Sequence, residues 1–524
     1  MNSFIKNSAT LFTVVTLSAT LANVANAEVL RRPDIIPEKT DPVETDYYHQ
    51  APPEMSTEAS PAAIKLEDFG ADPIYEESAY DAAAQYAIYG NKRAVDIVHP
   101  LIELGQPLYG DGPLNKSYNV VGSKNLVSPQ LYVYGDWRTV VASNKNGNNR
   151  LEQIVTRPSF EVDLKLTATE RLHALLRPLE DNGQFTRYEL SGKNKGFEKE
   201  TNFKPATFFF EGDLGAITAG IKDDYVKWDL PFTFGIIPLF YQNGIWLDDA
   251  FLGAAATIPS LNSKKLDISN MDFTFFASTN LVSSGAIRKD NGALDKSGAD
   301  IYGVTTFVET RSGYFEAGYG FTSDTRANKD FSYHNATASF TKRYGGFLSN
   351  STRAIVNFGQ NPLNGAERTA DGYLLISENS LITSLPYTLI PYANFYYGRG
   401  KPQSLARAAA AGGALKNIGL NFETDGLTGF PKLEDTGNNT YGGALGLEYL
   451  FALNQQIVVE LATVQVIGDK NSNDRIAKGD QYAVGARYQL PLNNAWIFRA
   501  DAIAADLKNA PDLLGFRLEL RRKF

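Results

Sequence analysis

The feature that most constrains this chain is an alternation of apolar and polar residues with a period of two, which runs from about residue 126 to the end. It comes in segments of about ten residues that are separated by polar stretches. In the last segment Phe516, Leu518 and Leu520 share one face, whereas Arg517 and Glu519 occupy the other. A period of two predicts β-strands that have one apolar and one polar face.

The lengths of the connections support a closed membrane sheet. Counted back from the last strand, long connections such as 468–480 and 399–440 alternate strictly with short ones such as 452–456. Eleven strands from residue 300 onward follow this alternation, as barrels with short periplasmic turns and long external loops do. Earlier strands are predicted at 131–143, 152–167, 171–179, 203–212, 215–222, 249–258 and 265–276. We therefore predict an all-β fold, a transmembrane antiparallel β-barrel of about 18 strands, with 16 to 20 as the range.

Composition excludes several classes of protein. The 524 residues contain no cysteine, so neither disulfides nor thiolate metal sites are expected. The formal net charge of −9 argues against a nucleic-acid partner, which would require a basic surface. The four histidines are not at metal-ligand spacing, and no motif for a nucleophile, a phosphate or haem is present. We expect no metal, no cofactor and no enzymatic activity; a catalytic site at the barrel rim involving His334 is the less favoured alternative.

The first part of the chain differs from the rest. Residues 1–27 have one cation, an apolar run and the triplet Ala25-Asn26-Ala27, which predicts a cleavable signal peptide and export. Residues 28–125 are predicted to form a periplasmic segment with a disordered, proline- and acid-rich lead and a short helix between Ser78 and Arg93. We expect this helix to pack against the barrel floor; the alternatives are that the segment plugs the barrel, caps its periplasmic mouth or binds a partner. The barrel is predicted to occupy 126–524.

Charged residues at the polar positions of the strands are predicted to face an aqueous lumen. They could form a basic wall opposite acids, pair with one another, or only solvate the wall. The pore-lining candidates are Glu161, Asp163, Lys165, Glu309, Glu316, Glu448, Glu460, Arg487, Arg499, Asp501, Arg517, Glu519 and Arg521.

One connection breaks the rule that loops are polar. The stretch from Lys227 to Gly253 reads KWDLPFTFGIIPLFYQNGIWLDDAFLG, and an external loop of this composition would expose too much apolar surface to water. We predict that it folds into the lumen, as a constriction or gate, or sits on the rim; the alternative is that part of it is one more strand. The gate candidates are Phe232, Phe234, Phe240, Trp246, Asp248 and Asp249. A second, alanine-rich stretch, Ser404–Asn417, predicts a helix in the longest external loop.

Two parts of the chain resemble known proteins. Residues 215–258, with an apolar FTF…NG…DDAF.G pattern, resemble the central part of alginate-export-type outer-membrane barrels. The terminal Phe524, preceded by Phe516, Leu518 and Leu520, resembles the signal that the barrel-assembly machinery recognises. Arg522 departs from that pattern, which usually has an aromatic or apolar residue there. The first resemblance implies a barrel of about 18 strands that carries a charged polysaccharide or small solutes.

The sequence thus predicts a channel in the cell outer membrane that passes solutes or a polysaccharide through a charged, loop-constricted lumen. The expected partners are outer-membrane lipid, the barrel-assembly machinery and the permeant. The alternative is an assembly or adhesion component, anchored by its barrel, whose loops or periplasmic segment bind partners. The sequence leaves open which solute permeates, in which direction, and whether barrels trimerise.

Overall fold

The computed structural model describes residues 97–106, 108, 116–192, 195–327, 329–423, 426–451, 454–469, 475 and 477–524. The predicted signal peptide and the predicted helix between Ser78 and Arg93 lie outside the described residues. Within them, 18 strands form one ring. In chain order they are β1 (Gln130–Asn146), β2 (Asn149–Lys165), β3 (Arg171–Leu176), β4 (Thr207–Asp213), β5 (Pro231–Tyr241), β6 (Leu247–Ser263), β7 (Ile268–Asn280), β8 (Ala299–Thr310), β9 (Gly313–Asp324), β10 (Tyr333–Tyr344), β11 (Leu348–Phe358), β12 (Asp371–Leu381), β13 (Leu389–Lys401), β14 (Thr440–Phe451), β15 (Gln455–Val466), β16 (Gln481–Pro491), β17 (Trp496–Leu507) and β18 (Leu513–Lys523).

The ring closes where its first and last strands meet. Each strand pairs antiparallel with its neighbours, and β18 pairs with β1 over eleven residue pairs, with Leu518 opposite Val141. Beyond β18, the backbone of Phe524 exchanges two hydrogen bonds with Gly135, of 2.8 and 3.1 Å. Closure pairs the backbone donors and acceptors that an open edge would expose. The predicted fold, an antiparallel barrel of about 18 strands, is confirmed.

A short strand extends the seam at one end. Ile102–Leu104 pairs antiparallel with residues 131–133 of β1, next to the end of β18. This is the end of the barrel at which the short turns lie, for example Arg311 and Ser312 between β8 and β9. We call it the short-turn end and the opposite one the long-loop end. Both the first and the last barrel strand have a terminus at the short-turn end, as an even strand number requires.

The alternation along the strands separates an outer from an inner face. In β18, Arg517 and Glu519 are each 2 % exposed, whereas Leu520, the residue that follows Glu519, is 39 % exposed. The same alternation places Leu445, Leu447 and other large apolar side chains on the outer wall. An outer wall of this kind matches hydrocarbon, and the polar positions point inward. Among the described residues no helix is long and apolar enough to span a membrane.

Two predicted elements are wrong, and their errors cancel in the strand count. The strand predicted at 215–222 is a helix, α1 (Leu214–Lys222), whose first turn is capped because the Asp213 carboxylate accepts a 2.8 Å hydrogen bond from the Ala216 N–H. The stretch predicted as an inward-folded loop contains β5, paired with β4 on one side and β6 on the other. The alternative, one more strand, is therefore the correct interpretation of 231–241.

The predicted helix in Ser404–Asn417 is also wrong. The described backbone there has a two-residue strand, Ala406–Arg407, and a single 3₁₀ turn, Ala409–Ala411. Gly412, with φ of 74°, follows the turn directly, and a left-handed residue at that position interrupts an α-helix. The alanines therefore permit close packing of an extended loop rather than forming a helix.

The barrel lumen as candidate functional site

The predicted pore-lining residues of β2, β8, β9 and β14 lie at inward positions, where most have polar partners. Glu161 pairs with His173 at 3.0 Å and Asp163 with Arg171 at 3.1 Å. Glu316 accepts a 2.8 Å hydrogen bond from Ser339, and Glu448 accepts one of 2.6 Å from Gln456. In register, Lys165 lies opposite Arg171, and Glu309 lies opposite Tyr314 and Asn270. These strands therefore present small polar pairs rather than one uniform charge.

Three arginines of the last three strands surround one carboxylate. Asp501 on β17 accepts hydrogen bonds from Arg487 at 2.6 Å and from Arg499 and Arg517 at 2.8 Å each. The Asp501 side chain is 1 % exposed. A buried carboxylate held by three guanidinium groups is a strong ionic contact because the charge is shielded from water. The predicted basic residues thus pair with an acid, one of the alternatives that the sequence left open.

A second ionic group lies beside the seam. Glu519 on β18 pairs with Arg138 on β1, and with Arg521 at 3.1 Å. Arg521 also lies 3.4 Å from Asp136. The sequence interpretation did not include Arg138, because the alternation of β1 is weak around it. Arg138 lies opposite Arg521 in the pairing of β1 with β18, and its side chain therefore reaches Glu519.

The longest connection folds into the barrel. Residues 402–439, which we call the lumen loop, leave β13 at the long-loop end and return to β14. Glu423 of this loop pairs with Arg487 at 2.6 Å and with Arg499 at 3.5 Å. On β15, Glu460 accepts the backbone N–H groups of Leu420 and Asn421 at 2.7 and 2.8 Å. The wall thus anchors the loop through charge-assisted hydrogen bonds on two sides.

Apolar packing holds the same loop. Five of its residues are almost fully buried against inward-facing side chains of β11 to β17, and together they form one cluster. Burial of this many apolar side chains stabilises a fixed position of the loop. The cluster consists of Ala414, Leu415, Ile418, Phe422 and Leu433 of the lumen loop, Ile245 of the connection between β5 and β6, and Ile355, Leu374, Ile376, Tyr396, Ala444, Ala462, Val464, Ala483, Ile503 and Ala505 of the wall.

The lumen loop spans the interior. On one side, the Thr428 carbonyl accepts hydrogen bonds of 2.8 Å from Asn144 on β1 and Gln153 on β2. On another side, Ala406–Arg407 pairs in parallel with the start of β6. The buried Arg407 guanidinium donates to the carbonyls of Gly244, Ala411 and Gly412, and burial lowers the pKa of Arg407. The loop therefore touches widely separated parts of the ring.

The predicted gate residues divide between the two faces of the wall. Phe232, Phe234 and Phe240 alternate with buried residues of β5, and Phe234 and Phe240 are 52 % and 59 % exposed on the outer face. Phe232 and Phe234 lie where β5 is paired on both sides, so their side chains point away from the lumen, which corrects their assignment to a gate. Phe240 lies beyond the residues that pair with β4, and the Lys416 ammonium of the lumen loop lies 5.7 Å from its exposed ring.

The other three gate candidates contact the interior structure. Trp246 is fully buried and donates a 2.8 Å hydrogen bond to Asn335 on β10. Asp248 pairs with Lys416 of the lumen loop at 2.5 Å. Asp249 accepts a 2.6 Å hydrogen bond from the Ser283 N–H. These residues therefore help to fix the lumen loop and its neighbours at the long-loop end.

Inward glycines make room for this packing. A Cβ on Gly318 would lie 2.6 Å from the Trp246 ring, and one on Gly485 would lie 2.5 Å from the Asn421 side chain. Real Cβ atoms do not approach so closely, so a larger residue would displace the interior side chains. Glycine at these two inward positions is therefore required by the filled lumen.

The histidine of the alternative catalytic prediction points away from the lumen. His334 lies on the outer wall, where it contacts Tyr319 at 2.7 Å and stacks on Phe358. Among the described residues, no group of three histidines or acids is arranged to hold a metal ion.

The sequence interpretation missed Glu423 and the inward course of the lumen loop, although Leu415, Ile418 and Phe422 were the signal: an external loop would leave them exposed.

Several solved outer-membrane barrels resemble this chain in structure at low sequence identity. No protein-family model matches the sequence, and no curated protein matches it. OccK11 (OpdR) of Pseudomonas aeruginosa is 10% identical, with 75% of this chain and 96% of that chain covered and a TM-score of 0.48. OccK5 (OpdH) of the same organism is 12% identical, with 75% and 98% covered and a TM-score of 0.47. Wzi, an outer-membrane protein involved in group 1 capsule assembly in Escherichia coli and a carbohydrate-binding β-barrel, is 11% identical, with 74% and 84% covered and a TM-score of 0.44. These values are too low to transfer a function.

Proposed function

We propose that the protein is an outer-membrane channel that passes polar solutes, or a polysaccharide, through a charged lumen constricted by the lumen loop. The observation that carries this proposal is the lumen loop itself, held across an 18-strand ring by ion pairs and apolar packing. Rings of 16 to 18 strands are wide enough for an aqueous channel, and inward-folded loops set their width. The outer wall of exposed apolar side chains supports insertion in a membrane.

The orientation follows from the connections. Barrels of this type keep short turns in the periplasm and long loops outside. We infer that the short-turn end is periplasmic, that a cleaved signal peptide directs export, and that the barrel-assembly machinery recognises the last strand through Phe516, Leu518, Leu520 and Phe524. The resemblance to alginate-export barrels adds a charged polysaccharide to the candidate permeants. It rests on residues 215–258, which form α1, β5 and part of β6.

The mixed charges of the lumen bear on the permeant. Arg487, Arg499 and Arg517 stand on one stretch of wall, and the acids Glu316 and Glu378 stand on β9 and β12. Because Asp501 and Glu423 partly neutralise the arginines, we expect weak selectivity between small anions and cations rather than strict exclusion of either. Reversal potentials across a salt gradient would measure this.

Planar-bilayer conductance tests the channel. We expect the purified wild-type protein to show small single-channel steps. Replacing residues 409–432 by a short glycine-serine linker should raise the conductance severalfold. The linker still joins β13 to β14, but the part of the lumen loop that constricts the lumen is removed. A matched control shortens Pro362–Ala366, a connection at the same end whose residues are mostly exposed. If the trimmed barrel folds but stays silent, or conducts as the wild type does, the channel proposal is wrong.

The size of the interior apolar cluster favours one second candidate. With sixteen buried residues in the cluster that joins the lumen loop to the wall, the barrel could remain closed and serve as an anchor for external partners in assembly or adhesion. Under that hypothesis the wild-type protein is silent in bilayers, and only loop-trimmed protein conducts. The same bilayer experiment therefore separates the two functions.

A further inference from the structure

A groove of about 620 Å³ opens on the outer wall at the seam, near the short-turn end. Its lining combines aromatic rings, aliphatic side chains and one cation. The lining residues are Leu101, Trp137, Thr139, Phe160, Trp496, Leu520, Arg522 and Phe524. Leu520 and Phe524 also belong to the assembly signal proposed above, but neither proposed function of the folded barrel uses the groove.

The register explains why these residues meet on the outside. Arg522 on β18 lies directly between Trp137 on β1 and Trp496 on β17. Its sequence neighbour Arg521 points inward, to Glu519. Because successive residues of a strand face opposite sides, Arg522 and the two tryptophans share the outer face.

Aromatic rings enclose the groove on both sides of the cation. The Phe160 and Phe524 ring centroids lie 5.6 Å apart, and the Arg522 guanidinium lies 5.7 Å from the Trp496 ring centroid. Aromatic side chains concentrate at the level of lipid head groups, where an apolar body meets a polar surface. A groove in this position therefore borders both acyl chains and head groups.

Among the described residues that line the groove, Arg522 is the one cation, and it has no acidic partner among them. Within the described part of the chain, no Asp, Glu or terminal carboxylate lies within 4.0 Å of its guanidinium, which is exposed. A guanidinium beside hydrocarbon is unfavourable unless an anion accompanies it. Phosphate is an anion that a guanidinium binds through two parallel hydrogen bonds.

We propose that this groove binds one phospholipid, with the phosphate on Arg522 and an acyl chain along Leu520, Phe160 and the two tryptophans. The proposal rests on membrane insertion, as proposed above, but not on conduction. It also gives a role to Arg522, the residue at which the last strand departs from the usual assembly signal.

Native mass spectrometry of the full protein from mixed micelles tests this. The micelles contain equal amounts of phosphatidylglycerol and of diacylglycerol with the same chains. We expect one phosphatidylglycerol to remain bound to the wild type, and Arg522→Gln to retain about fivefold less, since a cation near anionic lipid contributes about a factor of five. Lys342→Gln is the matched control, because Lys342 is a cation above an aromatic ring, Tyr344, near the same end but on the opposite wall. It should behave as the wild type.

A second variant keeps the test valid if Arg522→Gln folds poorly. Arg522→Phe restores the residue type usual in the assembly signal, so it should assemble while losing the preference for phosphatidylglycerol over diacylglycerol. Heat-dependent gel migration verifies folding. Equal retention of phosphatidylglycerol by wild type, Arg522→Gln and Arg522→Phe would overturn the proposal. A wild type that is silent in bilayers but keeps this preference would count against the channel alone.

Discussion

Neutralising Asp501 should weaken the barrel measurably. In Asp501→Asn the side chain keeps its shape, but three guanidinium groups at 2.6, 2.8 and 2.8 Å lose their common carboxylate. With Glu423, the group holds three cations and two anions, a net charge of +1, which becomes +2 in the variant. Breaking a buried ionic contact in this way costs about 3–5 kcal/mol of the free energy of unfolding. Because water in the lumen solvates part of the freed charge, we expect a loss of about 3 kcal/mol.

Urea unfolding of the refolded protein in lipid vesicles, followed by tryptophan fluorescence, measures this loss. Glu448→Gln is the control, because Glu448 contacts the neutral Gln456. This variant should lose at most about 1 kcal/mol of the free energy of unfolding. In a double variant, Arg517→Met should recover part of the stability lost in Asp501→Asn, since it removes one uncompensated cation. If Asp501→Asn loses less than about 1 kcal/mol, the arginines are solvated independently, and the reasoning about this cluster is refuted.

Two further variants test the packing of the interior. Burial raises the pKa of Glu434 in the lumen loop above 4.5. The folded loop therefore binds a proton more strongly than the unfolded chain does. The stabilisation of the folded loop by this proton is complete below pH 4.5 and declines as the pH rises through the raised pKa. Channel open probability should therefore rise with pH from about 4.5, and Glu434→Gln should remove this dependence; an unchanged profile in the variant contradicts the assignment. Gly318→Ala should displace Trp246 and break its 2.8 Å bond to Asn335, which shifts the tryptophan emission and costs about 1–3 kcal/mol. Gly426→Ala, where the nearest atom to a new Cβ is 3.6 Å away, should change neither.

The alternation of apolar and polar residues alone predicted which residues of many wall strands face inward. In β16, β17 and β18 the inward and outward residues follow the two-residue period, so Arg487, Asp501 and Arg517 could be placed on one face. Which of them pair could not be predicted, because both the separate-wall and the paired arrangement fit the same period. The contact of Asp501 with all three arginines depends on the register between strands.

The failures occurred where the lumen is filled. Inward positions of β5 hold Ile237 and Leu239 rather than polar residues, because Trp246 and Leu247 pack in the same cluster. The strand is therefore apolar on both faces, and its period of two disappears. The lumen loop was missed for a related reason. Apolar residues such as Leu415 and Phe422 indicate that the loop is buried, but the contacts that fix its position, such as Glu423 with Arg487, join residues that are far apart in the sequence.

The central claim is that the lumen loop lies against the inner wall of a closed ring. The cysteine-free chain allows a direct test with the pair Asn421→Cys and Gly485→Cys. A Cβ at position 485 would overlap only the Asn421 side chain, which the cysteine shortens, and it would lie 3.0 Å from the Cγ position, close to where the new sulfur would lie. The pair Val141→Cys and Leu518→Cys, directly opposite across the seam, is the positive control for a folded barrel. We predict that mild oxidation of outer membranes from expressing cells cross-links both pairs. A cross-link at the seam without one between residues 421 and 485 would contradict the claim.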